Sequence, residues 1–338
     1  MNDFFFSILQ WINSWVGNYG WSMVIFTLLI RLVLTPLDYR SRVGLRRTSQ
    51  IQPKIQALQK KYANDKEKLN QKTAELYRKE HVNPLSSCLP LLLTWPILIA
   101  VFAAMRLAAN WEMLEQISQI VTNQPVVMEP WLWVKNVWMP DMPFSPSMPD
   151  LGMMQQIPAD MWLNWFNGYQ GNLPPMIAGL GLTADSFSNA NLSRTLAMIQ
   201  AAMKAGNPEY AAAIATKPGW TNINLLITSF SVMEHPNGFL ILPLLSAGTQ
   251  ILMTKISSPS KQAQEAQPQQ SNTAGKFMTW FFPIFSLIIC FNSSATFALY
   301  WVAGNVISTV QTLIINKMLD RKDKKREAAL AAEGGKIK

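Results

Sequence analysis

Apolar residues gather in five long runs, at 20–37, 85–105, 239–256, 277–291 and 295–315, separated by polar segments. A helix needs about 20 residues to cross a ~30 Å hydrocarbon core, so each run predicts a membrane span. The fourth is short and reaches only about 22 Å at 1.5 Å per residue. It must extend into its polar flank or lie in locally thinned bilayer. Ahead of the first run, Phe5, Leu9, Ile12 and Val16 recur at helical spacing opposite Gln10 and Asn13. Asp3 and the lack of a small-residue cleavage site speak against a signal peptide, and an amphipathic helix lying in the interface fits residues 1–18.

Charge sets the orientation. Residues 40–79 hold twelve Lys/Arg against three acids, and residues 317–338 hold eight against four. Residues 107–236 hold only four basic residues against nine acids. The positive-inside bias therefore places the two basic segments in the cytoplasm, and five spans then put the N-terminus outside. Within 41–83, Ile51, Ile55, Leu58 and Tyr62 form one apolar stripe, and Leu69, Thr73, Leu76 and Tyr77 a second after the turn-like Ala63-Asn64-Asp65. Two amphipathic helices paired through these stripes make a helical hairpin.

The layout is thus an interfacial helix at 1–18, a first span at 19–38, a basic cytoplasmic hairpin at 39–83 and a second span at 84–106. An extracytoplasmic Trp/Pro-rich region at 107–237 follows, then a third span at 238–256 and a cytoplasmic linker at 257–276. Fourth and fifth spans at 277–316 and a basic cytoplasmic tail at 317–338 complete it. The fold class is an all-α polytopic membrane protein with five transmembrane helices around a hydrophilic groove and a cytoplasmic helical hairpin.

Composition agrees: 49% of residues are hydrophobic and 14% charged. The two cysteines, Cys88 and Cys290, fall in spans, and the two histidines, His81 and His235, lie far apart in sequence, so neither a disulfide framework nor a metal site is expected. No GxSxG, P-loop or dinucleotide-binding glycine pattern occurs. The reading is of a protein that is not an enzyme and needs no cofactor.

One charge is misplaced for a span. Arg31 stands among Ile25, Phe26, Leu28, Leu29, Ile30, Leu32, Val33 and Leu34, where insertion scales charge about 2.5–3.5 kcal/mol for an arginine. Thr27 and Thr35 share its helix face. In the fifth run Asn305, Ser308, Thr309 and Thr312 make a polar stripe, with Thr249 and Gln250 midway along the third run and Thr94 in the second. Three readings stay open: a hydrated cavity with one fixed positive charge, an arginine snorkelling toward the end marked by Asp38, or an intramembrane salt bridge. The stripe has its own alternative, as polar contacts gluing helices together. No acid occurs inside the runs.

Ile30-Arg31-Leu32, Pro36-Leu37, Gln52-Pro53-Lys54-Ile55-Gln56, Leu76-Tyr77, and Val82-Asn83-Pro84-Leu85 running into Cys88-Leu89-Pro90-Leu91-Leu92 resemble the YidC/Oxa/Alb family of membrane protein insertases. Leu299-Tyr300-Trp301 followed by Asn305 and Gln311 is similar to that family's last span. The resemblance covers 20–106 and 239–317. It implies a bacterial plasma-membrane insertase or chaperone whose groove opens to the cytoplasm and to lipid, with Arg31 as the groove arginine. Thr27, Thr94, Gln250, Trp301, Asn305, Thr309 and Gln311 are the further candidate lining residues.

The implied partners are nascent membrane proteins, the lipid bilayer and, around the basic hairpin, the ribosome, targeting machinery and Sec translocon, with no role for DNA. Lys54, Lys60, Lys61, Lys66 and Lys68 are the candidate hairpin contacts, although a solvated face that merely enforces topology explains the same charges. Two features depart from the family: the residues before the first span are too few for the large folded domain of Gram-negative members, and the region at 107–237 is unaccounted for. The competing function is an anion-binding transporter or channel using Arg31, against which the absence of an internal repeat speaks.

Overall fold

The computed structural model describes residues 2–80, 82, 89–221, 223–225, 228–257 and 269–334. It is almost entirely helical, in the order α1 (Asn2–Val16), α2 (Tyr19–Lys61), α3 (Lys66–Lys79) and α4 (Leu89–Val121). Short helices α5 (Leu151–Met154), α6 (Ala159–Gly168) and α7 (Pro175–Ala178) follow, then α8 (Leu192–Gly206) and α9 (Pro208–Ala213). The last helices are α10 (Ile241–Ser257), α11 (Gln269–Asn292) and α12 (Ala295–Gly334). A two-stranded antiparallel hairpin, β1 (Ile223–Leu225) with β2 (Thr228–Phe230), is a small β insertion in the all-α plan.

Among the described residues, three helices are long and apolar enough to cross a membrane, within Tyr19–Lys61, Pro96–Val121 and Ala295–Lys325. The third and fourth runs appear as α10, of 17 residues, and as the apolar segment Trp280–Asn292 of α11. The latter helix begins at Gln269, so the short fourth run is extended at its polar flank, inside the stretch read as linker. The remainder of that linker, 258–268, lies outside the described residues.

The chain divides into two compact units. The first comprises Met1–Phe26, Ala100–Leu245 and Leu287–Trp301. Here α1 buries Leu9 and Ile12 of its apolar stripe, while Phe4, Trp11 and Trp15 stand exposed outside that stripe. Much of this unit is held by side chains bonded to main chain, because its prolines interrupt regular elements. Asn237 donates to the carbonyls of Asn136 (3.0 Å) and Pro140 (2.9 Å), while its own Oδ1 accepts from the Asn136 amide at 2.9 Å. Asp141 accepts from Trp133 Nε1 (3.1 Å) and from the amides of Phe239 (2.8 Å) and Leu242 (2.6 Å). Of the seven tryptophans between 107 and 236, Trp138 and Trp162 are core anchors, whereas Trp111 and Trp220 are exposed. At the start of α12, the amides of Ala295 and Thr296 donate to the carbonyls of Met139 and Val137 at 2.9 Å each. Those helix-end donors would otherwise have no partner.

The second unit comprises Thr27–Ile99, Ser246–Ser286 and Val302–Lys338. In it α2 runs on from the apolar segment into the first arm of the hairpin, passing Pro36 and Pro53. Asp65 caps α3, accepting from the Lys68 amide at 3.0 Å, and Arg78 and Lys79 complement its C-terminal dipole. Ile51 and Ile55 pack with Val82, Leu76 and Tyr77 into the hairpin's own small core. Beyond the apolar segment of α12, Asp320 and Asp323 pair with Arg46 of α2, and Lys322 donates to the Tyr39 hydroxyl at 2.8 Å.

Candidate functional site

The second unit places the Arg31 guanidinium directly against the backbone of α12. A Cβ added at Gly304 would stand 3.2 Å from Arg31 Nη2, 3.7 Å from Nε and 3.8 Å from Thr27 Cγ2. A glycine leaves room for this approach, as small residues do where membrane helices meet closely. Thr27 is fully buried, while Arg31 is half-buried. Among the described residues no carboxylate forms an ion pair with Arg31.

The turn carrying Arg31 is fixed from α12. Gln311 donates its amide to the Arg31 carbonyl at 3.1 Å and to Thr35 Oγ1 at 2.8 Å, and Thr35 Oγ1 in turn donates to the Arg31 carbonyl at 2.9 Å. Among the described residues the other end of that amide, Gln311 Oε1, is buried without a hydrogen-bond partner, a state that costs about 1–3 kcal/mol. About three turns further toward the hairpin, Arg42 donates to Thr312 Oγ1.

The polar stripe on α12 divides in role. Asn305 reaches α10, donating to Thr249 Oγ1 at 3.2 Å and the Ser246 carbonyl at 3.4 Å, so it is a helix–helix tie. Thr309 and Thr312 bond back to their own helix, to the carbonyls of Asn305 (2.7 Å) and Ser308 (2.6 Å). Ser246 and Ser286 join α10 to α11 at 3.0 Å. Gln250 is half-buried on α10 and makes no hydrogen bond to Arg31 among the described residues. Trp301 belongs to the first unit, where its ring packs on Phe297 at 5.7 Å. The side chain of Thr94 lies outside the described residues. Of the candidate lining residues, then, Thr27, Arg31 and Gln311 come together, Asn305 and Thr309 lie on the same helix in a packing role, and Gly304 is the member that sequence reading missed. Its only signal was a lone glycine beside Asn305 in an apolar run.

In the hairpin, Lys60, Lys61, Lys66 and Lys68 are exposed around the turn between α2 and α3. Lys54 is committed to a pair across the arms, 2.6 Å from Glu80, and its hydrogen bond holds that carboxyl below the usual carboxylate range. Four of the five candidate lysines thus form an exposed cluster at one tip.

The sequence model of the "60Kd inner membrane protein" family matches residues 11–214 and 213–323. A protein of Anaeromyxobacter dehalogenans (strain 2CP-C) named "Membrane protein insertase YidC" is 32% identical over 197 residues, 55% of this chain and 33% of the relative. Relatives of the same name from Fusobacterium nucleatum and Bordetella petrii are 42% identical over 106 residues and 43% over 97. These cover 31% and 29% of this chain, and 52% and 17% of the relatives. The chain spans about a third of the length of the Anaeromyxobacter relative and about half of the Fusobacterium one. No relative named here is a transporter, and the anion-transport reading has no support among them.

Proposed function

The chain belongs to the 60Kd inner membrane protein family, and from that premise we propose that it is a bacterial membrane protein insertase whose working charge is Arg31. Relatives bearing the insertase name support the activity. The observation that carries the mechanism is the Arg31 guanidinium, half-buried in an apolar span, seated over Gly304 and without an ion pair among the described residues.

A nascent single-span protein brings a polar, often acidic tail that must cross the apolar core. In this reading α2, α4, α10, α11 and α12 are five spans enclosing a groove open to the cytoplasm and to lipid. The groove hydrates the tail and shortens the dry path. Arg31 attracts its carboxylates where the dielectric is low and the attraction correspondingly strong. A negative charge moving outward then gains about 2.3 kcal/mol per 100 mV of membrane potential. The apolar segment of the substrate leaves sideways into lipid, driven by its own burial. No covalent bond changes, and no cofactor is called for.

The orientation follows the charges, with the N-terminus outside and the basic hairpin and tail in the cytoplasm. The lysine cluster at the hairpin tip is then placed to receive ribosomes, targeting factors or the Sec channel. The experiment is insertion of a single-span substrate with an acidic outer tail into proteoliposomes, by the wild type, Arg31→Lys and Arg31→Ala. Retention by Lys with loss by Ala supports a groove cation. Equal insertion by Ala and wild type removes the electrostatic step and leaves hydration and thinning to carry insertion.

A further inference from the structure

The first unit holds a cavity of about 770 Å³, within the roughly 300–1,000 Å³ of small-molecule sites. Its depth can be read from the chain. Residues 293–294 join α11 to α12 and line it, and Arg106, also lining it, is the first charge after the apolar run beginning at 85. Both mark the ends of apolar segments, the level of a bilayer's headgroups. About a turn closer to the hydrocarbon, the walls are Phe102, Ile288 and Phe297. Phe102 and Ile288 continue outward as exposed apolar surface, at 37% and 56%.

Two ionisable side chains line this space, one of each sign: Arg106 and Asp150. Arg106 is exposed and makes one long hydrogen bond, to the Gln156 carbonyl at 3.4 Å. It has no ion pair among the described residues. Asp150 uses one oxygen to cap α5, accepting from the Met153 amide at 2.9 Å. A guanidinium fork matches the oxygens of a phosphate, and a carboxylate matches a primary ammonium. An anionic lipid would satisfy the first and be repelled by the second. A zwitterion satisfies both.

We propose that this cavity seats one zwitterionic aminophospholipid of the phosphatidylethanolamine class, with its phosphate on Arg106, its ammonium on Asp150 and an acyl chain along Phe102, Ile288 and Phe297. Basic pockets between membrane helices hold lipid phosphates by the first of these pairings. The site is separate from Arg31, and its test does not involve insertion, so either reading can fail alone.

The test uses the full chain, purified in detergent and delipidated, with lipid retention followed by native mass spectrometry as dioleoyl phosphatidylethanolamine, phosphatidylglycerol or phosphatidylcholine is added. One phosphatidylethanolamine is expected to be retained at about fivefold lower concentration than either of the others. Loss of a charge-assisted phosphate contact in Arg106→Gln should weaken it about tenfold. Asp150→Asn, which keeps the capping oxygen, should erase the preference for phosphatidylethanolamine over phosphatidylglycerol. Lys204→Gln, on exposed surface of α8, should change neither. Should Arg106→Gln fail to fold, the Asp150→Asn ratio decides alone. Equal retention of all three lipids, or retention indifferent to Asp150→Asn, overturns the proposal. Competition by soluble glycerophosphoethanolamine at the same concentration as the lipid also overturns it, since the acyl wall would then do nothing. A photocrosslink from Gln156→p-benzoylphenylalanine to polypeptide rather than lipid in cells would make the cavity a protein-binding site instead.

Discussion

Gln311 donates its side-chain amide to the carbonyl of Arg31 at 3.1 Å, so the turn bearing the intramembrane cation is held by a helix distant from it in sequence. The same amide takes Thr35 Oγ1 at 2.8 Å, making one clamp of three residues. Replacing Gln311 by Leu removes both bonds, at about 0.5–1.5 kcal/mol each. Thermal stability should fall modestly, and insertion of acidic-tailed substrates should fall several-fold while neutral-tailed ones change less. Proteoliposome insertion with paired substrates measures this; an equal loss for both would mean Gln311 is only a packing residue.

Gly304 predicts a graded series. An alanine Cβ 3.2 Å from Arg31 Nη2 asks only that the end of a flexible side chain move by tenths of an ångström. Gly304→Ala should fold normally and insert nearly as wild type. Gly304→Leu fills the guanidinium's seat and should lower insertion toward the Arg31→Ala level. Comparable activity of Leu and Ala variants would place the working cation elsewhere.

Gly238 sits under a harder constraint. A Cβ there would overlap Asp141 Oδ1, and that carboxylate is pinned by Trp133, Phe239 and Leu242. Gly238→Ala is expected to destabilise the first unit by about 1–3 kcal/mol or more, the range of overpacked sites. Hydrogen exchange at 136–150 should rise while the hairpin's exchange stays unchanged.

The hairpin core is small enough to be broken singly. Ile55 is buried among Ile51, Val82, Leu76 and Tyr77, and truncating it to Ala should cost about 2 kcal/mol, the low end for such changes. Trypsin should then cut faster at Lys60, Lys61, Lys66 and Lys68, with the apolar helices still protected.

Asp150 gives a pH dependence. Burial pushes its carboxyl above the ordinary 3.8, against smaller opposing effects of the Met153 and Gly152 amides. A raised folded pKa means the folded state holds the proton more tightly than the unfolded one, so this group's contribution falls as pH rises from about 3.8 through the folded value. Melting of the wild type relative to Asp150→Asn should worsen over that window and level off above it. A difference independent of pH would mean the side chain acts through capping alone.

What the sequence disclosed follows from which forces leave periodic traces. Arg31, Thr27 and Thr35 were legible because a charge and two hydroxyls on one face of an apolar run have few cheap explanations. The hairpin was legible because Ile51, Ile55, Leu76 and Tyr77 repeat at helical spacing. Gly304 was not, since a close approach between helices is a property of two segments and a glycine in one of them carries no record of the other. Asn136 and Asn237, joined across 101 residues by the Asn237 side chain on the Asn136 main chain, were invisible for the same reason. The strands β1 and β2 have three residues each, too few for an alternation to show. Asn305 and Thr309 read correctly as inward polar positions, but pattern alone did not divide helix tie from groove wall.

Pro36 gives the first span one more property. A proline has no amide hydrogen, so the carbonyl four residues earlier, that of Leu32, lacks its helical donor. Leu32 adjoins Arg31, and its side chain is 55% exposed. The peptide chain therefore carries a carbonyl without its usual helical donor one residue beyond Arg31. Side-chain substitutions at Arg31 leave that oxygen in place. A hydrogen-bond donor reaching this turn would meet a backbone acceptor one residue from Arg31, one that owes nothing to side-chain identity.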